Sequence, residues 1–369
     1  MTTNLDGKLA ALLLLCGACA SSGGGGTTAT REFDVRHELR VKVPENTKKL
    51  RVWFAVPQKD DAQQVSDLKI DCPYPTRRER DSEGNETIYL EVNAPDKREF
   101  TIVEEFKLSR SEVKSGVDAK KARPLTDAER TELARYLQPN QNVVIDDQIK
   151  ALSRQIVGDE TNPVNAARKI YDWELANVEY WVKDPKNKKA SPVGSTSYCL
   201  ENKTGNCTDF HSLWASLARA SGIPTRIVYG SFLKAELDGQ DVDQSYHCWP
   251  LFYAGGIGWV PHDVAVADIF VGAYPVNADN ETLVRRTTAD GYKGPDAAKV
   301  DYYFGNLDER RVTWSTGRDL MLTPGQAGGP VNALPKAYVE ADGKIVPEGK
   351  AEAPSSWTRK LTFREKKAS

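Results

Sequence analysis

From Phe33 onward apolar residues recur at every second position: Phe33, Val35, His37, Leu39, Val41 and Val43 share one face, and Leu50, Val52, Phe54 and Val56 repeat the pattern. A period of two marks a strand with one face in a core. The alternation returns at Leu68, Ile70 and Cys72, at Ile88, Leu90 and Val92, and at Phe100, Ile102 and Phe106. Turn-forming clusters separate these runs at Pro44-Glu45-Asn46 and Glu83-Gly84-Asn85. About five short strands without a helical period predict an antiparallel β-sandwich over residues 31–112. His37 and Cys72 lie in the apolar phase and are expected inside it.

Near residue 126 the period lengthens to that of a helix. Thr126 with Glu129 forms a capping box for a helix through Leu137, which Pro139 ends. Ile149, Leu152 and Ile156 predict a second helix closed by Gly158, and Asn162-Pro163 starts a third with Val164, Ala167, Ile170 and Tyr171 on its inner face. A loop rich in Ser, Lys and Pro, Lys183 to Ser197, leads to Thr204-Gly205-Asn206-Cys207-Thr208-Asp209. A fourth helix begins there, with Phe210, Leu213, Trp214 and Leu217 in one stripe and Gly222 and Pro224 as its stop. Strands follow at Arg226 to Phe232, Tyr246 to Tyr253 and Trp259 to Val264. Helices first and a sheet afterwards predict an α+β domain over residues 126–325. Residues 326–369 read as a C-terminal extension, Gly/Pro-rich, with one hairpin signal at Asp342-Gly343 and a mostly polar tail from Arg359. The sequence holds no internal repeat and no glycine-rich phosphate loop between a strand and a helix.

Ahead of the strands, Lys8 and the apolar run Leu9 to Leu15 have the layout of an export signal, too short for a transmembrane helix. Residues 1–20 are read as that signal and 21–30 as a flexible linker around Gly23 to Gly26. Cys19, after small residues and before a Gly/Ser tether, resembles the acylated cysteine of a bacterial lipoprotein. Ala18-Cys19-Ala20 also fits the small-x-small rule of an ordinary signal peptidase, so anchored and soluble exported forms both stay open. The expected location is outside the cytoplasm, as a lipoprotein facing the periplasm or cell surface, held by more than one acyl chain. With 50 Lys+Arg against 52 Asp+Glu the formal charge is 50 − 52 = −2. That balance argues against nucleic acid or a polybasic membrane surface as partner, because both need clustered positive charge.

The candidate chemistry sits where Gly205-Asn206 ends a loop and a helix starts at Cys207. A helix N-terminus offers unpaired N–H groups and partial positive charge, which stabilise a thiolate and lower a cysteine pKa. The same N–H groups can bind an oxyanion formed when sulfur attacks a carbonyl. Gly205 is expected to leave room for the substrate. The base comes from the sheet half. Treating Ala254-Gly255-Gly256-Ile257-Gly258 as a hairpin centred near Gly255 pairs positions that sum to about 510, which sets His247 opposite Asp263. There the carboxylate can hold an imidazole N–H and stabilise imidazolium. His262 is expected on the other face, and His211, one turn after Cys207, in a packing or hydrogen-bonding role.

Gly205-Asn206-Cys207-Thr208-Asp209-Phe210-His211, then Arg219 to Arg226, His247-Cys248-Trp249 and Gly258 to Asp263 together resemble the core of the transglutaminase-like superfamily, in its bacterial exported branch. The resemblance is strong over residues ~160–270 and looser over Tyr302 to Asp319 and the preceding sandwich. It implies a papain-like core with a Cys207-His247-Asp263 triad and no cofactor. The implied activity is cysteine acyl transfer on a carboxamide or peptide bond, by hydrolysis or transamidation through a thioester. Peptide or protein, cell-envelope peptide included, is the expected substrate. Family enzymes that cross-link Gln to Lys use an aromatic side chain upstream of the cysteine at the oxyanion; Tyr180 and Trp181 are the candidates here. Asn206 and Trp249 complete the candidate substrate-binding residues, with Tyr246 and Trp259 as further cleft walls or core aromatics.

Two other readings use the same residues. A non-catalytic envelope binding or scaffold module would keep the fold and dock through its sandwich. A structural zinc site could use Cys199, Cys207 and His247, with His211 and Cys248 nearby in sequence, though these spacings are poor for tetrahedral ligation. Cys199 with Cys248 is the disulfide to test in an exported chain.

Overall fold

Thr30–Lys42 lies antiparallel between Ser356–Glu365 and Glu99–Ser111, and Gln63–Asp71 completes a four-stranded sheet. The computed structural model describes residues 28–288, 291–349 and 356–366. The export signal, Cys19 and most of the linker lie outside the described residues. A second, five-stranded sheet runs Lys344–Ile345, Ala337–Ala341, Lys49–Ala55, Glu86–Asn93, Arg77–Arg80 in spatial order. Leu39 and Val41 of the first sheet meet Val52 and Phe54 of the second in one buried cluster, as the alternation requires. His37 is fully buried there, sharing a 3.0 Å Nδ1 hydrogen bond with Glu104, its ring 4.2 Å from Phe54 and 4.4 Å from Trp314. Burial keeps this pair uncharged, pushing His37 well below and Glu104 well above their ordinary values. Cys72 is half-buried against the same core.

The stretch read as a C-terminal extension belongs to the sandwich. Ala337–Ala341 pairs with Lys49–Ala55, Ser356–Glu365 pairs with Thr30–Lys42, and the Asp342-Gly343 turn joins a short hairpin. Its polar appearance has a physical cause. Arg359 stands in the inward phase with Trp357, Leu361 and Phe363, and stays buried by ion-pairing with Asp243.

In the second unit the predicted helices are Asp147–Val157, Pro163–Asn177 and Cys207–Ala220, with a shorter one at Thr196–Asn202. The Thr126/Glu129 capping box is present, but only Asp127–Glu132 is α-helical and Ala134–Leu137 tightens to 3₁₀. Phe210, Leu213, Trp214 and Leu217 are all fully buried, each contributing about 1.5–3 kcal/mol. Gly222, at φ +79°, ends that helix. These helices pack on an antiparallel sheet ordered Gly258–Pro261, Tyr246–Ala254, Thr225–Phe232, Arg311–Thr316. The last strand comes from the stretch the motif pattern covered only loosely, and its Trp314 enters the sandwich cluster with Phe106 and Trp53. Two small helices, Glu281–Thr287 and Ala297–Tyr302, carry no strong sequence period.

The hairpin register differs from the expected one. Leu251 pairs with Pro261 and Tyr253 with Trp259, so partners sum to 512, and the strand stops at Pro261 instead of running to Val264. A shift of two keeps the face parity. Asp263 is therefore no strand residue but the N-cap of a helix, Val264–Ile269.

Candidate active site

Asn206 fixes the start of the Cys207 helix. Its Oδ1 accepts from the N–H groups of Thr208 (2.9 Å) and Asp209 (3.1 Å), while Asp209 Oδ2 accepts from the Asn206 N–H at 2.9 Å. Asp209 also accepts from the N–H groups of Ser191 (3.0 Å) and Ser195 (2.7 Å), tying the preceding loop to the helix. Gly205 is needed for this packing: a Cβ there would lie 2.3 Å from Cβ of Asp209. Its missing side chain makes room for Asp209, not for a substrate as the sequence reading had it. Asn206 likewise spends its side chain on capping and on the Ser191 carbonyl.

Cys207 is only 3% exposed. Its backbone N–H donates to the Tyr180 hydroxyl at 3.0 Å. Tyr180 reaches this place because Glu179–Tyr180 pairs in parallel with Thr204–Gly205, and because its own N–H donates to Asp268 (2.8 Å), which Lys183 neutralises at 2.9 Å. Trp181 turns into a 3₁₀ segment and packs half-buried on the core. Trp249 is buried between Val228 and Leu307, with Arg311 5.0 Å above its ring.

On the facing strand, His247 donates from Nε2 to Oδ2 of Asp263 at 2.8 Å, which leaves Nδ1 for the Cys207 sulfur it is hydrogen-bonded with. Phe232 stacks on the imidazole at 4.5 Å. Asp263 Oδ1 caps Val266 N–H at 3.1 Å. Three further groups join this chain that sequence reasoning did not place. Arg311, fully buried, donates from Nη1 to Asp263 Oδ2 at 2.7 Å and from Nη2 to Asp308 at 2.7 Å. His211 holds Nε2 3.5 Å from Asp263 Oδ1 and Nδ1 3.3 Å from the Cys248 sulfur. Asp263 is thus the oriented carboxylate that the sequence did not offer to His211. The Cys248 thiol in turn hydrogen-bonds Cys207.

Electrostatics follow from these contacts. The hydrogen bond from Cys248 is the largest influence on Cys207; burial opposes it and the charge on His247 reinforces it, leaving the thiol well below its ordinary value. Burial pulls His247 down, but Asp263 and the Cys207 thiolate outweigh it and push it up to about 9. Burial would raise Asp263, yet His247 and Arg311 hold it well below the usual carboxylate range. The two shifts favour a thiolate facing an imidazolium. His262 faces away from it, fully buried with its ring 4.0 Å from Trp214, and burial holds it neutral.

The chain is similar to known proteins over this region and beyond. Residues 150–264, which contain all three groups of the Cys207-His247-Asp263 chain, match the profile described as Transglutaminase-like superfamily. The chain carries a transglutaminase-like core. A curated Haemophilus influenzae protein described as uncharacterized is 27% identical over 321 residues, spanning 79% of this chain and 80% of that one. A solved structure of a candidate cysteine protease from Cytophaga hutchinsonii superposes with a TM-score of 0.54 at 15% identity, covering 91% of this chain and 98% of that one. The sandwich that precedes the transglutaminase-like core therefore recurs with it in one architecture.

Two expectations about the cysteines are corrected. Cys199 and Cys248 are both free thiols, not a disulfide. Cys199 is buried on Thr196–Asn202 among Glu174, Asp209 and Asp268, whereas Cys248 faces Cys207 and His211. Nor do Cys199, Cys207 and His247 converge: among the described residues no three His, Cys, Asp or Glu side chains are arranged to hold a metal.

Beside the transglutaminase-like core's Cys207 lies a cleft of about 490 Å³, with Asn206, Thr208 and Tyr246 on one wall and Lys336, Tyr338 and Trp357 of the sandwich on the other. A larger hollow of about 750 Å³ over the outer sandwich sheet holds none of the groups above.

Proposed function

We propose that this chain is an exported cysteine acyl-transfer enzyme acting on a carboxamide or peptide bond, with Cys207 as nucleophile, His247 as acid and base, and Asp263 orienting His247. The observation that carries the reading is the continuous buried chain from Cys207 through His247 to Asp263 at the N-terminus of a helix. The thiolate attacks the carbonyl carbon, and the negative charge moves from sulfur to oxygen. The Cys207 N–H and the Tyr180 hydroxyl bind that oxygen. His247 gives its Nδ1 proton to the leaving amine, and a thioester remains. Water or an amine then donates a proton to His247 and attacks the thioester, which restores the thiolate and releases acid or amide. A cleft of about 490 Å³ between core and sandwich, lined by the neighbours of Cys207, supports a peptide or protein as substrate. Leu9 to Leu15 and Cys19 support export with a lipid anchor. The test is a mass-spectrometric search for products from peptide and primary-amine mixtures, comparing the wild type with Cys207→Ser. New hydrolysis or amide products that vanish in the variant support the proposal; identical mixtures from both contradict it.

A further inference from the structure

Cys248 forms no bond to the substrate in acyl transfer, yet it is fully buried against the groups that do the chemistry. Both sulfurs adjoin the same hydroxyl: Thr208 Oγ1 lies 3.9 Å from the Cys207 sulfur and 3.6 Å from that of Cys248. The approach is enforced by secondary structure. Cys207 and His211 stand one turn apart on the same helix and both face the strand that carries Cys248, with His211 Nδ1 3.3 Å from the Cys248 sulfur. His211 is neutral in this setting, and its Nε2 lies 3.5 Å from a carboxylate oxygen that can only accept. The ring proton therefore belongs on Nε2, which turns the Nδ1 lone pair toward the Cys248 thiol. The Cys248 thiol lies within reach of three acceptors, Thr208 Oγ1 at 3.6 Å, His211 Nδ1 at 3.3 Å and the Cys207 thiolate.

We propose that Cys207 and Cys248 form a reversible oxidative modification site for a hydroperoxide, in which Cys248 resolves oxidised Cys207 as an intramolecular disulfide. The inference rests on the activated thiolate proposed above. In the first step the Cys207 thiolate attacks one peroxide oxygen and the O–O bond breaks. Sulfur is oxidised to sulfenic acid, peroxide is reduced, and the departing hydroxide takes the His247 proton and leaves as water. With the negative charge gone from Cys207, the Cys248 S–H has only His211 as a strong acceptor. His211 takes that proton, the Cys248 sulfur attacks the Cys207 sulfur, and the S–O bond breaks. The proton held by His211 returns to the released hydroxide, so a second water leaves. A dithiol reverses the bond and restores both thiols. Without a resolving thiol the sulfenic acid advances to sulfinic and sulfonic acid, which a dithiol does not repair. Cys72 packs in the sandwich core and Cys199 sits on Thr196–Asn202, whereas the hydroxyl beside the Cys207 sulfur, Thr208 Oγ1, is shared with Cys248.

The full-length protein is treated with hydrogen peroxide at neutral pH, alkylated and mapped by peptide mass spectrometry, with and without later dithiothreitol. The expected result is a Cys207–Cys248 linked peptide that dithiothreitol returns to two alkylatable thiols. Cys248→Ser, whose hydroxyl can still donate to Cys207, should lose this rescue and accumulate sulfinic and sulfonic Cys207, and Cys248→Ala should do so more slowly because it also loses that hydrogen bond; two variants guard against a folding defect in one, and circular dichroism checks each. Wild-type Cys207 that advances to sulfinic acid while Cys248 stays unlinked overturns the resolving role and leaves the activated thiolate standing. Cys207 that does not react with peroxide overturns both.

Discussion

Arg311 sets its Nη1 2.7 Å from Oδ2 of Asp263, the same oxygen that accepts the His247 Nε2–H at 2.8 Å. One carboxylate oxygen thus serves a permanent cation and a titrating one. The guanidinium cannot lose its proton, so it keeps Asp263 ionised and unable to take the His247 proton for itself. Arg311→Met should leave Asp263 and Asp308 without their shared partner and cost about 3–5 kcal/mol. Urea denaturation checks this, with Arg311→Lys retaining part of the loss; a methionine variant as stable as wild type would show that the cation is dispensable.

Acyl-transfer rate should trace a bell against pH. The lower limb falls as the Cys207 thiolate is protonated, at a pH well below that of an ordinary thiol because its pKa is depressed. The upper limb falls near pH 9, where His247 loses the proton it must give to the leaving group. A kcat/KM profile on any turned-over peptide checks both limbs. An upper limb absent through pH 10 would remove His247 as the acid.

Tyr180→Phe removes the hydroxyl that meets the Cys207 N–H and leaves that N–H without its partner, at about 1–3 kcal/mol of stability. The expected kinetic effect is a loss of about 10²–10³ in kcat with little change in KM. Alkylation of Cys207 by iodoacetamide should continue, since that reaction builds no oxyanion. Parallel loss of alkylation and turnover would make Tyr180 structural.

Gly205→Ala should clash with Asp209 at 2.3 Å and loosen the cap that seats Cys207, for about 1–3 kcal/mol. Gly205 does not have a positive φ, so the cost comes from space and not from backbone strain. Thermal melting together with Cys207 labelling measures both consequences; an unchanged melting temperature contradicts the packing argument.

Much of this was legible in the sequence because local rules carry it. Phe33 to Val43 alternate as a half-buried strand must, and Asn206 with Asp209 stands where a helix needs its donors satisfied. The hairpin register missed by two and its strand stops at Pro261, and His247 still meets Asp263 because Asp263 caps the helix that follows directly. The C-terminal strands were hidden for a different reason: the buried Arg359 and Glu340 occupy inward positions through ion pairs with Asp243 and Arg51, and pattern reading takes buried charge for surface. Arg311 stands 48 residues after Asp263, and no periodicity predicts a contact between a strand and a helix N-cap so far apart in the chain. The same holds for His211 and Cys248, whose meeting depends on how a helix lies on a strand.

The account turns on whether Cys207 rests as a thiolate paired with the His247 imidazolium. The direct measurement is the rate of iodoacetamide labelling at Cys207 against pH, read by peptide mapping in wild type and His247→Ala. Wild type should label rapidly with its inflection well below that of an ordinary thiol, and the variant should shift up toward pH ~8.5. Wild-type labelling that itself inflects near that ordinary value, unchanged by the substitution, would contradict it.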